Sequence, residues 1–252
     1  MKTFQQLLEG IYDPNIFKAV FLAGGPGSGK SFVVGKTLAG LGLKVINSDE
    51  PFERYLTKAG LSLKMPDEEQ IPRDVERKKA KRVTGARKGH AIDGRLGMVI
   101  DGTGKDYDKI TSQASKLQEL GYETYMVFVN TTLETALERN RKRARSVPPN
   151  IAKQGWSDVQ KNFQKFHRFF GNKMLVANND SSDDKDILQM VAKTVSRAMR
   201  KPVNNPIAKA WIENELKKKQ AKPNVNLAKD RHRGGGYVDK NYNQDAIGDP
   251  IF

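Results

Sequence analysis

Five short apolar runs punctuate an otherwise polar chain, at residues 19–23, 44–47, 98–101, 124–130 and 174–177. Each is nearly uniformly apolar and does not alternate with polar residues. That is the pattern of strands buried on both faces, as in a parallel sheet. Between the runs the period changes. Across residues 106–120, Tyr107, Ile110, Ala114 and Leu117 recur at helical spacing, and Gly121 follows as a stop. Across 183–200, Ile187, Met190, Val191, Thr194, Val195 and Ala198 recur in the same way, and Pro202 ends the pattern. Strands alternating with helices predict βαβ units and an α/β fold around a parallel sheet. No internal repeat is present.

Three regions depart from this rhythm. The N-terminal segment, 1–16, places Phe4, Leu7, Leu8 and Ile11 at helical spacing without the basic start and apolar run of a signal peptide. Residues 58–95 form a long polar insertion, and within it residues 73–90 hold eight Lys or Arg against two acidic residues. After residue 202 a helical pattern at about 206–220 leads into an Asn-, Gly- and charge-rich tail, 222–252, with Gly234, Gly235 and Gly236 in a row. The tail reads as a flexible arm, disordered or ordered by a protein partner. The expected organisation is therefore an N-terminal segment (1–16), a main domain (17–201) and a helix plus arm (202–252).

Composition narrows the functional classes. Lys and Arg number 44 against 29 Asp and Glu, a formal net charge of +15, which favours polyanionic partners such as nucleic acid or nucleotides. With no cysteine, disulfides, thiolate metal sites and cysteine nucleophiles are excluded. The three histidines, His90, His167 and His232, are too scattered to suggest a metal site, and His167 beside Phe166, Phe169 and Phe170 reads as packing. No run approaches the ~20 apolar residues of a membrane span. A soluble protein of the cytoplasm is expected.

The chemistry begins directly after the first apolar run. Gly24-Gly25-Pro26-Gly27-Ser28-Gly29-Lys30-Ser31 matches G-x-x-x-x-G-K-[ST], follows a strand and opens a helical pattern. Glycines let successive N–H groups turn inward towards phosphates, Lys30 reaches the β- and γ-phosphates, and the Ser31 hydroxyl suits Mg²⁺. Gly24, Gly25, Gly27, Ser28, Gly29, Lys30, Ser31 and Phe32 are thus the expected binding residues for ATP or GTP. The second strand ends in Asn47-Ser48-Asp49, on the same rim of a parallel sheet. There Asp49 could accept a proton from an attacking hydroxyl, or cap the helix that Pro51 helps to start. Asp101 closes the third run. It could hold Mg²⁺ through water, contact the acceptor, or fix the turn at Gly102, Thr103 and Gly104. The dense basic stretch 139–145, ended by Val147, Pro148 and Pro149, is a candidate lid (139–149) whose arginines stabilise a transferring phosphoryl group. Arg77, Lys78, Lys81 and Arg82 in the insertion could cover the acceptor or form a solvated face.

Together the strand and phosphate loop, the Asp after the second strand, the D-G-T-G turn at 101–104 and the R-N-x-x-R-x-x-x-V-P pattern from Arg139 resemble bacteriophage polynucleotide kinases and zeta-toxin-type kinases. The chain is also similar to kinase-like proteins of large tailed phages. The resemblance spans about residues 17–198. It implies a three-layer P-loop kinase fold with a five-stranded parallel sheet, and a bacterial host cytoplasm as the working compartment. It further implies Asp49 as general base, Lys30 and Ser31 on ATP·Mg, and Arg139 and Arg143 as the two lid arginines. Polynucleotide kinases carry an Arg three residues after the base, to grip the acceptor's phosphate. Here that position is Phe52. The expected activity is γ-phosphate transfer to an acceptor hydroxyl, with a 5′-hydroxyl end or a hydroxymethylated base of nucleic acid as the acceptors that fit the basic charge best, and a nucleotide or nucleotide-sugar as open alternatives. Its rivals are a DNA-associated ATPase and a virion- or partner-binding protein on a kinase scaffold. Product analysis separates the first, and truncation of the arm the second.

Overall fold

The structure is a computed structural model. It describes residues 10–221 apart from 34, 36, 37, 39, 65, 144, 145 and 181–184, and only the backbone of 185–188, 220 and 221. The five expected strands form one parallel sheet in the order β2-β3-β1-β4-β5. They are β1 (Lys18–Ala23), β2 (Lys44–Ile46), β3 (Met98–Asp101), β4 (Glu123–Asn130) and β5 (Met174–Asn178). No strand end differs from the sequence reading by more than one residue.

The central strand explains the layering. All six residues of β1 are buried. Because successive side chains point to opposite faces, Ala19, Phe21 and Ala23 join one apolar cluster while Val20 and Leu22 join another. The first cluster is covered by α4 (Tyr107–Glu119), α6 (Pro149–Phe170) and α8 (Pro206–Ala221) through Ala114, Leu117, Phe166, Phe170 and Ala208. The second is covered by α1 (Lys30–Val33) and α7 (Lys185–Met199) through Val33, Val191, Val195 and Met199. Met190, read on the apolar stripe of α7, is exposed instead. The fold is three-layer α/β with a five-stranded parallel sheet.

The polar insertion is helical. After α2 (Asp49–Lys58), a 24-residue helix, α3 (Gln70–Asp93), packs back on it through Phe52, Leu56 and Ala80. Its far end rejoins the main core at Ala91. The helix expected after residue 202 also shares that core. Ala208 is fully buried against Gly121, and the Trp211 ring stands 5.5 Å from Phe17. The boundary read near Pro202 therefore precedes a helix that packs on the sheet. Residues 1–9 of the expected N-terminal segment and the expected arm, 222–252, lie outside the described residues. Among the described residues no helix is long and apolar enough to cross a membrane.

Candidate active site

In a parallel sheet all strand carboxyl ends share one rim, and here that rim gathers the chemistry. The loop after β1 is clamped from two sides. Gly27 has φ +78°, and a Cβ there would strike the Ala136 carbonyl of α5 (Leu133–Arg141). Gly29 has φ +88°, and a Cβ there would strike the side-chain amide of Asn179. Only glycine meets both demands. Asn179 in turn donates through Nδ2 to the Ser28 carbonyl (2.8 Å). The buried Ser28 hydroxyl has no hydrogen-bond partner among the described residues. Lys30, first residue of α1, donates from Nζ to the carbonyls of Gly24 (2.5 Å) and Gly25 (3.0 Å).

The two aspartates are joined through one amide. Asn47 donates from Nδ2 to Asp101 Oδ2 (2.8 Å), its Oδ1 accepts from the Asp49 backbone N–H (2.7 Å), and its carbonyl accepts from the Thr84 hydroxyl of α3 (3.3 Å). Ser48, not Asp49, occupies the N-cap of α2, and no side-chain capping bond forms there. The turn after Asp101 is held from elsewhere: Asn162 of α6 donates to the carbonyls of Gly104 (3.1 Å) and Lys105 (2.8 Å). Of the readings open for each aspartate, helix capping by Asp49 and turn fixation by Asp101 thus have other residues in those places.

A cavity of about 490 Å³ opens over this rim. Gly27, Gly29, Lys30 and Ser31 line one wall, Asn47, Asp49 and Asp101 a second, and Arg139 and Arg143 a third. The charged groups sense one another. Burial pushes the Lys30 ammonium down to about 8; Asp101 opposes that shift, Arg143 adds to it and Asp49 opposes it. Burial raises the Asp101 carboxyl, Lys30 works against the rise, Asp49 adds to it and Arg143 opposes it. Such mutual perturbation in a cleft marks a candidate functional site.

The two arginines expected at a lid are not equivalent. Arg139, in the last turn of α5, donates to the carbonyls of Asn179 (2.5 Å) and Asp180 (3.3 Å), in the loop after β5. Arg143 lies beyond the helix and is coupled to Lys30 and Asp101. Asn140 shapes the turn between them and Val147, donating to the Val147 carbonyl (2.7 Å) and accepting from its N–H (3.2 Å). Arg145 of the expected lid is outside the described residues.

Gly24, Gly25 and Ser28 do not line the cavity. Phe32 is half exposed and does not line the cavity. His167 faces solvent rather than packing, while its neighbours Phe166 and Phe170 are buried. The sequence alone did not point to Asn47, Asn162, Asn179 or Trp156. Trp156 of α6 donates to the Thr131 carbonyl (2.8 Å) with its backbone against Gly25, where a Cβ would meet its Cα at 3.1 Å.

The zeta toxin family model matches residues 13–188. The chain belongs to the zeta toxin family. No curated protein matches it. Among solved structures, a kinase candidate from Chloroflexus aurantiacus is 13% identical, with a TM-score of 0.50 over 73% of this chain and 98% of that one. The AvrRxo1-ORF1:ORF2 complex with ATP is 15% identical, with a TM-score of 0.50 over 66% of this chain and 55% of that one. A structure from the PezAT toxin–antitoxin system of Streptococcus pneumoniae is 16% identical, with a TM-score of 0.49 over 81% and 87%. At these identities the likeness to the first two shows the fold alone, a P-loop kinase fold shared by this zeta toxin family member.

Proposed function

We propose that this zeta toxin family member is a kinase that moves the γ-phosphate of ATP or GTP onto an acceptor hydroxyl. The observation that carries this reading is the meeting of Lys30, Asp49, Asp101 and Arg143 in one cavity over a glycine-clamped loop. The backbone N–H groups of residues 24–31 would cradle the phosphates, with the Ser28 hydroxyl as a further donor. Lys30, now bonded to two loop carbonyls, would turn to the β- and γ-phosphates. Asp49 would accept the proton of the acceptor hydroxyl as oxygen attacks phosphorus, and Asn47 would hold its backbone in place. Arg143 would neutralise charge spread over the transferring phosphoryl oxygens. Arg139 would set the lid against the loop after β5. Phe32 is a lesser candidate for nucleotide contact.

Ser31 and Asp101 fit a magnesium ion, because Mg²⁺ is commonly held by one or two protein oxygens together with substrate phosphates and water. Among the described residues no group of three metal-ligating side chains exists, so an all-protein cation cage is not offered. The ion would supply charge neutralisation at the phosphates.

For the acceptor, the net charge of +15 supports nucleic acid, either a 5′-hydroxyl end or a hydroxymethylated base. A polynucleotide-kinase-like enzyme encoded by a phage and acting in the host cytoplasm fits the sequence pattern. The domain reading follows: a kinase unit at 17–201 with the 58–95 insertion towards the acceptor, and 202–252 supplying a helix and an arm for a protein partner. The AvrRxo1-ORF1 neighbour was solved with a second chain, which keeps a protein partner in view.

Incubation with γ-labelled ATP or GTP tests this reading against 5′-hydroxyl DNA and RNA, hydroxymethyl-base DNA, nucleosides, nucleotides and nucleotide-sugars. Label should move to at least one acceptor. Release of labelled phosphate alone, stimulated by DNA, would replace the kinase with a DNA-associated ATPase.

A further inference from the structure

The α2–α3 hairpin carries a guanidinium that neither the phosphate loop nor the lid uses. Arg77 of α3 lies over the ring of Phe52, with 4.2 Å between its central carbon and the ring centroid. Phe52 is buried and follows Asp49 by three residues in α2, so about 4.5 Å of helix rise separates them. The ring that seats the guanidinium therefore belongs to the helical turn that Asp49 opens, and Asp49 lines the cavity.

Its neighbours on α3 are otherwise engaged or wet. Arg73 donates to the Pro66 carbonyl (2.9 Å), and Lys79 pairs with Glu76 (2.7 Å). Lys78, Lys81 and Arg82 are exposed. Arg77 alone of this group is half-buried on an aromatic face, and among the described residues no hydrogen bond or ion pair holds it. The helix beneath it is fixed. Ala80 is fully buried with Phe52 and Leu56, and one turn further the Thr84 hydroxyl donates to Asn47. Arg77, Ala80 and Thr84 form one stripe that runs along α2 to the rim.

A guanidinium laid on a ring uses its face for the ring and keeps its N–H donors at the edge, in a planar fork that fits two oxygens of one phosphate. Pre-ordering by the ring lowers the entropy lost on binding, and the basic flank of α3 draws anions towards it.

We propose that Arg77, seated on Phe52, is the acceptor-recognition residue of this cleft and binds a phosphate group carried by the acceptor itself. The proposal rests on the kinase reading for its meaning, but the phosphate site can be tested without it. The loop is first filled with β,γ-imido-ATP and magnesium, and melting temperature is followed against inorganic phosphate. Wild type should be stabilised, Arg77→Met should need at least about tenfold more phosphate, and Arg77→Lys should fall between. Lys193→Ala, on the far face in α7, controls for diffuse attraction to a basic surface.

In transfer assays, Arg77→Lys should raise KM about tenfold for phosphate-bearing acceptors while kcat changes less than threefold. It should leave KM unchanged for nucleosides lacking phosphate. A nucleoside 3′-monophosphate and a 5′-hydroxyl oligonucleotide serve as the two phosphate-bearing acceptors and tell a small molecule from a nucleic-acid end. If wild-type phosphate binding is lost in the folded variants but no acceptor is ever phosphorylated, the site stands and the kinase reading fails. If the folded variants bind phosphate and handle every acceptor as wild type does, the proposal is wrong whatever the reaction.

Discussion

The two ends of the sheet use buried charge in opposite ways. At the amino end of β1, Lys18 is 1% exposed and pairs with Glu123 at 2.7 Å, and Glu123 also accepts from the Tyr125 hydroxyl (2.8 Å). Close by, the Tyr122 hydroxyl reaches the carbonyls of Ala91 and Leu96 (3.3 Å each), and Phe17 packs between Tyr122 and Trp211. At the carboxyl end, Lys30 meets carbonyls rather than a carboxylate, and it shares its cavity with the like charge of Arg143. Among the described residues each end has a buried polar atom without a hydrogen-bond partner, Ser28 Oγ above and Arg95 Nε below. Below, however, the same guanidinium donates to the Ile92 carbonyl and lies over Trp211. A fold tolerates poorly matched charge where function demands it, while a matched buried pair makes the loss of either partner costly.

Lys30→Ala should give the largest break between the two ends. Transfer should fall at least roughly 10³-fold, because the triphosphate loses a buried charge partner. The nucleotide-free protein should not lose stability with it. The folded value of Lys30, about 8, lies below its ordinary 10.5. Between those values the unfolded chain keeps a proton that the folded one has released, so this residue makes stability rise with pH across that window. Melting curves from pH 7 to 10.5 should show a steeper rise for wild type than for the variant. Undiminished transfer in the variant would remove the loop from the mechanism.

Asp49→Asn should cost roughly 10²-fold in transfer, as loss of a general base does, with nucleotide affinity kept. If that variant transfers normally and Asp101→Asn does not, the base is Asp101. Arg143→Lys keeps the charge but loses the planar fork, and should lower turnover on the order of tenfold with little change in ATP affinity. A pure loss of affinity would instead make Arg143 a docking residue.

Sheet and loop were legible because their signals are local. Residues 98–100 are apolar without alternation, and the glycine-lysine motif abuts a strand, so neither needs knowledge of distant contacts. What links the parts was hidden by distance along the chain. Asn179 meets the phosphate loop across 151 residues, and Asn162 meets the Gly104 turn across 58. Asn47 can reach Asp101 because β2 pairs with β3, and chain order does not give the insertion of β3 between β1 and β2 that brings Asp101 in between. The pattern from Arg139 made the two arginines look alike, but among the described residues the loop after β5 engages Arg139 and not Arg143. Helix α6 was missed although Ala152, Val159, Phe166 and Phe170 bury one stripe. Pro149 looked like a stop, yet a proline in the first turn starts a helix as readily.

The smallest effect expected is at the matched end, and it concerns acid. Burial by itself would raise the Glu123 carboxyl, but the hydrogen bonds from Lys18 and Tyr125 outweigh it and hold it below its ordinary 4.5. A carboxylate lowered on folding contributes stability that is fully present above its unfolded value and is lost as pH falls through the folded one. Wild type should therefore lose melting temperature on acidification below about pH 4.5 more steeply than Glu123→Gln, which has no carboxylate to protonate. Above that range the variant should be the less stable of the two, since Lys18 is left buried without its counter-charge. Its transfer rate at neutral pH should match wild type, because the pair sits at the opposite end of β1 from Lys30. Parallel pH curves for the two proteins would show that the Lys18–Glu123 pair does not hold this end of the sheet, and that the contrast between the ends lies in packing instead of charge.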